Sequence, residues 1–445
     1  MKKILILGAG LSTNSLINYL LNNAKEHDWK IIVGDINEEL ARKKVNGHPQ
    51  GQARIFDIND EMESWRTIAD ADIVISMLPA FMHHQVINKC IDLRKPMLTA
   101  SYATDEIKEL DEKAKKAGIP IMMELGLDPG IDHMSAMNVI NRVKKEGGEL
   151  TSFYSFTGGL VAPESDNNPW NYKFTWNPRN VVLAGNGVSM FVHNGRYKYI
   201  PYHRLFDRVL PRKILEYGDF EVYPNRDSLK YREVYGLKDI PSMYRGTIRR
   251  PGFSKAWNVF VRLGCTEDGY TMEDSENMTY RQFINSFLKY EPNIPVEIKL
   301  KDYCQNASDP VVYEKLKWLG VFDDRKVGLK NATPAQILQK LLEEKWSMDP
   351  QDKDMIIMQH EFKYINGNED KMIVSAMAVI GNDQDETAMA MTVGLPLAIT
   401  TKLLATGKIK HKGVTLPIHK DIYEPVLKEL ETFGIRFEEK EYMIG

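Results

Sequence analysis

Charge imbalance is what this sequence has least of: 58 Lys+Arg against 61 Asp+Glu leave a formal net charge of −3 over 445 residues. A nucleic-acid partner calls for a basic face, so that class is not expected. Cysteine is scarce. Cys90, Cys265 and Cys304 lie far apart with no C-x-x-C spacing, which argues against a disulfide framework or a thiolate zinc site and fits a reducing compartment. No apolar run reads as long enough to cross a bilayer. The first residues lead straight into a short strand, not a secretory signal. A cytoplasmic location and no membrane partner are therefore expected. Repeats and low-complexity tracts are also missing, which excludes a solenoid.

What is present is the mix of a folded protein, 43% hydrophobic and 27% charged, at a length that implies two or three domains. Short apolar runs at 3–7 (KILIL), 30–34 (KIIVG), 52–56, 72–76 (DIVIS), 96–100 and 119–123 (IPIMM) read as six strands. Helical stretches near 38–45, 82–93 and 104–117 separate most of them. This predicts an N-terminal Rossmann fold, a doubly wound parallel sheet. Past 128 the pattern changes. A helix is expected from about 133 to 145, then strands at 151–157, 181–183 and 257–264 in a mixed α/β substrate domain. Residues 274–355 read as a smaller helical subdomain, 363–380 as strands and 386–404 as a strongly apolar helix. The expected organisation is a Rossmann domain over 1–128 with the segment 385–445 packing back on it. The α/β substrate and dimerisation domain then takes 129–273 and 356–384, with the helical insert at 274–355.

The strongest local signal is Gly8-Ala9-Gly10-Leu11-Ser12-Thr13, between a strand and a helix. The first glycine allows a tight turn, the second lets backbone approach a pyrophosphate, and the helix N-terminus offers N–H groups to the anion. Thr13 stands where the fingerprint has a third glycine. Asp35 closes the second strand. Its carboxylate can accept from both ribose hydroxyls and repel a 2′-phosphate, which favours NAD over NADP; Arg42 and Lys43 nearby could meet a phosphate.

Ligands bind beyond the carboxyl ends of parallel strands. That places Leu78 and Pro79 beside the cofactor, and Ser101, Tyr102 and Asp128 in the same crevice. The turn Tyr223-Pro224-Asn225-Arg226-Asp227-Ser228 presents an arginine suited to a carboxylate, as does the run Arg245-Gly246-Thr247-Ile248-Arg249-Arg250. The aromatics from Trp170 to Trp176 suit either a pocket wall or core. His83-His84 has no second ligand set nearby and reads as a helix cap or surface feature, so no metal site is expected.

These residues resemble one family. Thr99-Ala100-Ser101-Tyr102, Glu124-Leu125-Gly126-Leu127-Asp128-Pro129-Gly130-Ile131-Asp132-His133, Gly158-Gly159-Leu160, Ala162-Pro163-Glu164 and Asn168-Pro169-Trp170-Asn171-Tyr172-Lys173-Phe174 match it. So do Tyr223 to Ser228, Arg245-Gly246-Thr247 and the stretch 388–433. The chain resembles the L-glutamate-forming saccharopine dehydrogenases, also called saccharopine reductases. The resemblance implies NAD or NADP as cofactor, a homodimer, and a place in lysine metabolism. It implies oxidation of the secondary amine of saccharopine at the lysine ε-carbon. Hydride goes to C4 of the nicotinamide, and water hydrolyses the imine to 2-aminoadipate 6-semialdehyde and L-glutamate. It sets Tyr102 and Asp128 near the reacting amine, and Arg226 on a substrate carboxylate with Thr247 close by; Arg245 and Ser101 complete the substrate residues. Two rivals predict other linings. A carboxynorspermidine or homospermidine type of dehydrogenase wants more acids and fewer arginines. A non-catalytic NAD-binding protein has no need of Tyr102, Asp128 and Arg226.

Overall fold

The computed structural model describes residues 1–184 and 187–444. The chain divides into two compact units, one of residues 1–148 and 377–438, the other of 149–376 and 439–445.

The first unit holds a seven-stranded sheet. Its strands β1 (Lys2–Leu7), β2 (Trp29–Asp35), β3 (Gly51–Ile55), β4 (Ile73–Ser76), β5 (Met97–Leu98) and β6 (Pro120–Met122) are the six apolar runs. The strand Gly413–Thr415 joins the outer edge of β6, giving the order 413–415, β6, β5, β4, β1, β2, β3, all parallel. Ile4, Leu5, Ile6 and Leu7 are all fully buried. Helices cover both faces of the sheet, which is why these strands read as continuous apolar runs and not as alternation. Helices α1 (Asn14–Ala24), α2 (Glu38–Val45), α3 (Glu61–Ala69) and α4 (His83–Asp92) are the first four crossovers, and Asp105–Lys108 with Asp111–Ala117 makes the fifth.

The expected boundary at 128 falls instead after Gly148. Helix Ile131–Lys145 belongs to the first unit, where Asn141 Nδ2 donates to the Tyr423 hydroxyl (3.0 Å) on helix Lys420–Leu430. At the far end, Glu438–Met443 is a strand of the second unit's sheet and does not stay with the segment before it. The helix Ala388–Ala405 corrects another reading. By length and composition it could cross a membrane, yet 78% of it is buried inside the protein. It lies against α1, where a Cβ on Gly394 would come within 2.8 Å of Leu16 N. Thr13, where the fingerprint has its third glycine, turns its Oγ1 back to donate to Gly10 O (2.7 Å).

The second unit carries a nine-stranded mixed sheet. Strand Ser242–Arg249 runs parallel to Glu149–Val161 from Ser242↔Ser152 to Thr247↔Thr157, and antiparallel to Asp219–Pro224. The stretches 181–183 and 257–264 are not strands. They belong to helices Pro178–Val182 and Phe253–Leu263. The aromatic stretch is core: Trp346 packs at 5.2 Å from Trp170 and 5.0 Å from Tyr172, ring centre to ring centre. Helices Tyr280–Ser286, Val296–Tyr303, Pro310–Leu319 and Pro334–Trp346 fill the stretch expected to be helical.

Candidate active site

All the predicted residues of the first unit stand at the carboxyl edge of its sheet. After β1, Gly8 has φ +102°, and a Cβ there would lie 2.9 Å from Met77 O, so only glycine fits. Around the Cβ position of Gly10 there is open space. Leu11, Ser12 and Thr13 form the first turn before α1, and no side chain caps it. Thr13 N donates to Gly10 O (3.2 Å), which leaves the N–H groups of Leu11 and Ser12 for an anion. Three apolar side chains also stand exposed on this edge: Leu11 (81%), Ile36 after β2 (73%) and Phe81 after β4 (76%). Flat rings of a bound dinucleotide would cover such groups. The sequence reading passed over Ile36 and Phe81, because a single apolar residue in a loop carries no periodic signal.

Asp35 has a structural task that the sequence does not show. Its Oδ2 accepts from Ala9 N (2.8 Å) and its Oδ1 from Asn37 N (2.9 Å). The carboxylate thus ties the phosphate loop to the end of β2.

Beyond β5 and β6 two loops are laced together. Glu124 N donates to Ser101 O (3.0 Å) and Leu125 N to Thr99 O (3.1 Å). Glu124 Oε1 accepts from Ala103 N (2.9 Å), and its Oε2 meets His133 Nε2 at 2.7 Å in a fully buried pair. On this frame Tyr102 Oη donates to Asp128 Oδ1 (3.0 Å). The two predicted catalytic residues are in direct contact. Gly130 (φ +150°) makes the turn that follows; a Cβ would collide with Gly126 O at 2.0 Å.

His83 is neither a cap nor a surface group. It is 1% exposed. Its Nδ1 lies 2.9 Å from Ser76 Oγ at the end of β4, and its Nε2 2.6 Å from Ser101 Oγ. Burial pushes its pKa down to about 4, so the ring is neutral near pH 7.

In the second unit the structure joins the two arginine-bearing runs. Asn225 N donates to Arg245 O (2.9 Å), and Arg245 N donates to Ser228 Oγ (2.9 Å). Arg226 is exposed at φ +45° on that turn. The Arg245 guanidinium is buried over the Tyr231 ring at 4.5 Å. Thr247 is paired with Tyr223 on one side and Thr157 on the other.

The glycine loop, the bare helix N-terminus and the apolar rim define a dinucleotide-binding Rossmann protein. Residues 4–122 match the family model for the saccharopine dehydrogenase NADP binding domain, and residues 126–435 match that for the saccharopine dehydrogenase C-terminal domain. The chain belongs to the saccharopine dehydrogenase family. It is 33% identical to the NADP(+), L-glutamate-forming saccharopine dehydrogenase of Pyricularia oryzae, over 99% of both chains. It is 34% identical to the mitochondrial alpha-aminoadipic semialdehyde synthase of Mus musculus over 98% of this chain. There it spans about half of its relative, 47%. The solved apo saccharopine dehydrogenase (L-Glu forming) of Saccharomyces cerevisiae superposes with a TM-score of 0.89 at 30% identity, covering 99% of this chain and 100% of that one. Against these findings the reading of Asp35 as a mark of NAD has no support. The matching domain model is an NADP one, and the relative from Pyricularia oryzae is named for NADP(+).

Proposed function

We propose that this protein oxidises saccharopine with NADP and water to 2-aminoadipate 6-semialdehyde, L-glutamate and NADPH, in lysine metabolism. The contact between Tyr102 and Asp128 on the carboxyl edge of a dinucleotide-binding sheet carries the reading. A bound dinucleotide would supply the hydride acceptor for the carbon beside the substrate nitrogen. Leu11 and Ser12 would hold its phosphates, and Leu78 and Pro79 would flank it. The NADP half of the reading rests on the family model and the names of the relatives. Arg42 and Lys43 on α2 are exposed cations for a 2′-phosphate, Arg42 while also pairing with Glu38 at 2.6 Å.

Saccharopine brings three carboxylates and a secondary amine. Asp128 steadies the cationic nitrogen through its carboxylate and accepts its proton, while Tyr102 Oη keeps that carboxylate oriented. Ser101 offers a hydroxyl one residue away. Arg226, Arg245 and Thr247 are assigned to the substrate carboxylates, for which arginine is the fitting donor. Initial rates with saccharopine, run separately with NADP and NAD, test the reading. Turnover with the larger kcat/KM for NADP is expected. Detectable cofactor binding without turnover from either would overturn it.

A further inference from the structure

Ser101 and Tyr102 sit on a short loop after β5, and backbone lacing to Glu124 and Leu125 fixes the path of that loop. It does not fix the Ser101 hydroxyl, which has three staggered positions open to it. His83 does. The imidazole stands between two hydroxyls, Ser76 Oγ at 2.9 Å and Ser101 Oγ at 2.6 Å. Ser76 is fully buried at the end of a core strand. His83 is the first residue of α4, so its backbone is as rigid as the helix. A neutral imidazole has one N–H donor and one bare acceptor nitrogen. Of the two serines, one therefore donates to the ring and the other accepts from it, and the chain of three groups has a direction. No metal cluster exists among the described residues to claim the ring.

We propose that His83 is a positioning residue for the reaction, anchored on Ser76 and acting through Ser101 to hold its hydroxyl, and Tyr102 beside it, in the orientation that meets the substrate nitrogen. The inference rests on the reading of Ser101 and Tyr102 as substrate residues. It predicts that His83 contributes to substrate use and not to cofactor binding, although both ligands belong to the same sheet edge.

The test is a double-mutant cycle on the full chain with His83→Leu, Ser101→Ala and both together. His83→Leu should lower kcat/KM for saccharopine about tenfold, the cost of one lost hydrogen bond, with the KM for NADP unchanged. Ser101→Ala should do the same, and the double variant should be no worse than Ser101→Ala alone. His83→Gln, whose amide carries both a donor and an acceptor, should recover part of the loss. Effects that multiply in the double variant, or a rise in the NADP KM equal to the loss for saccharopine, would overturn the proposal. Should His83→Leu fail to fold, Ser76→Ala leaves the ring in place and removes only its anchor. It should weaken saccharopine use only while Ser101 is present; an equal loss in the Ser101→Ala background overturns the proposal. A second readout needs no substrate. The ¹⁵N signal of His83 Nε2 in the wild type should shift in Ser101→Ala, and an unmoved signal overturns the proposal. A wild type that binds NADP without turning over saccharopine would sink the functional reading, while the ¹⁵N signal still decides whether His83 holds Ser101.

Discussion

At the scale of single residues, Asp128 and His83 give the sharpest expectations. Asp128→Asn keeps the shape of the side chain and removes the charge that holds the substrate nitrogen. Turnover should fall about 10²- to 10⁴-fold, with the Kd for NADP, read by nucleotide fluorescence, unchanged; undiminished turnover would refute the assignment. His83 also sets a pH dependence of stability. Its folded pKa of about 4 lies below the value near 6.5 of an unfolded histidine. The unfolded chain therefore takes up a proton first. This contribution is complete above pH ~6.5, is lost as the pH falls towards ~4, and amounts to about 3 kcal/mol. Urea titrations between pH 7 and pH 4.5 should show the loss, and His83→Gln should flatten it. Legibility differs between these residues for a plain reason. Gly8, Gly10, Tyr102 and Asp128 announce themselves by the strand that precedes them. The role of His83 depends on Ser76 and Ser101, which only the parallel pairing of β4 with β5 and the loop beyond bring to its two nitrogens.

Among whole elements, the helix Ala388–Ala405 is the one most exposed to disruption. A side chain at Gly394 must push the backbone of Leu16 away. Gly394→Val should cost about 1–3 kcal/mol by overpacking, read as a lowered Tm and an unchanged m-value. The six strands of the first sheet were legible because burial on both faces makes each a compact apolar run. The seventh, Gly413–Thr415, was not: three residues carry no pattern, and only pairing with β6 makes them a strand. Helix Phe253–Leu263 was mistaken for a strand on the β-forming look of Trp257, Val259, Phe260 and Val261. All of its residues except Lys255 and Arg262 are buried, and burial of the helix nearly all round outweighs local preference. Asn177 capping Asn180 N, with Pro178 behind it, was a helix-start signal for the other misread stretch.

For the molecule as a whole, each unit is assembled from separated pieces of chain. A fragment of residues 1–148 lacks both the helix that packs on α1 and the strand that closes the β6 edge. It should be molten, with retained far-UV and lost near-UV circular dichroism, and should bind ANS; a cooperative unfolding transition in that fragment would contradict this division. Cys90, Cys265 and Cys304 are all buried, and burial pushes the thiols of Cys90 and Cys265 upward. A thiol reagent should find none of the three in the native protein and all three in urea. The family and its chemistry were legible from loop motifs. The division of the chain was not, because the assignment of Ile131–Lys145 depends on Tyr423, far away in sequence.

The pairing of Gly413–Thr415 with β6 has a consequence in time. A ribosome has delivered six of the seven strands of the first sheet by residue 122, but the strand that covers the β6 edge emerges only after all of the second unit's strands except Glu438–Met443 have been made. Throughout that interval β6 presents an unpaired edge to whatever is near it. The nascent chain is therefore most in need of a chaperone midway through its own synthesis, and slowing translation between residues 123 and 412 should increase its aggregation.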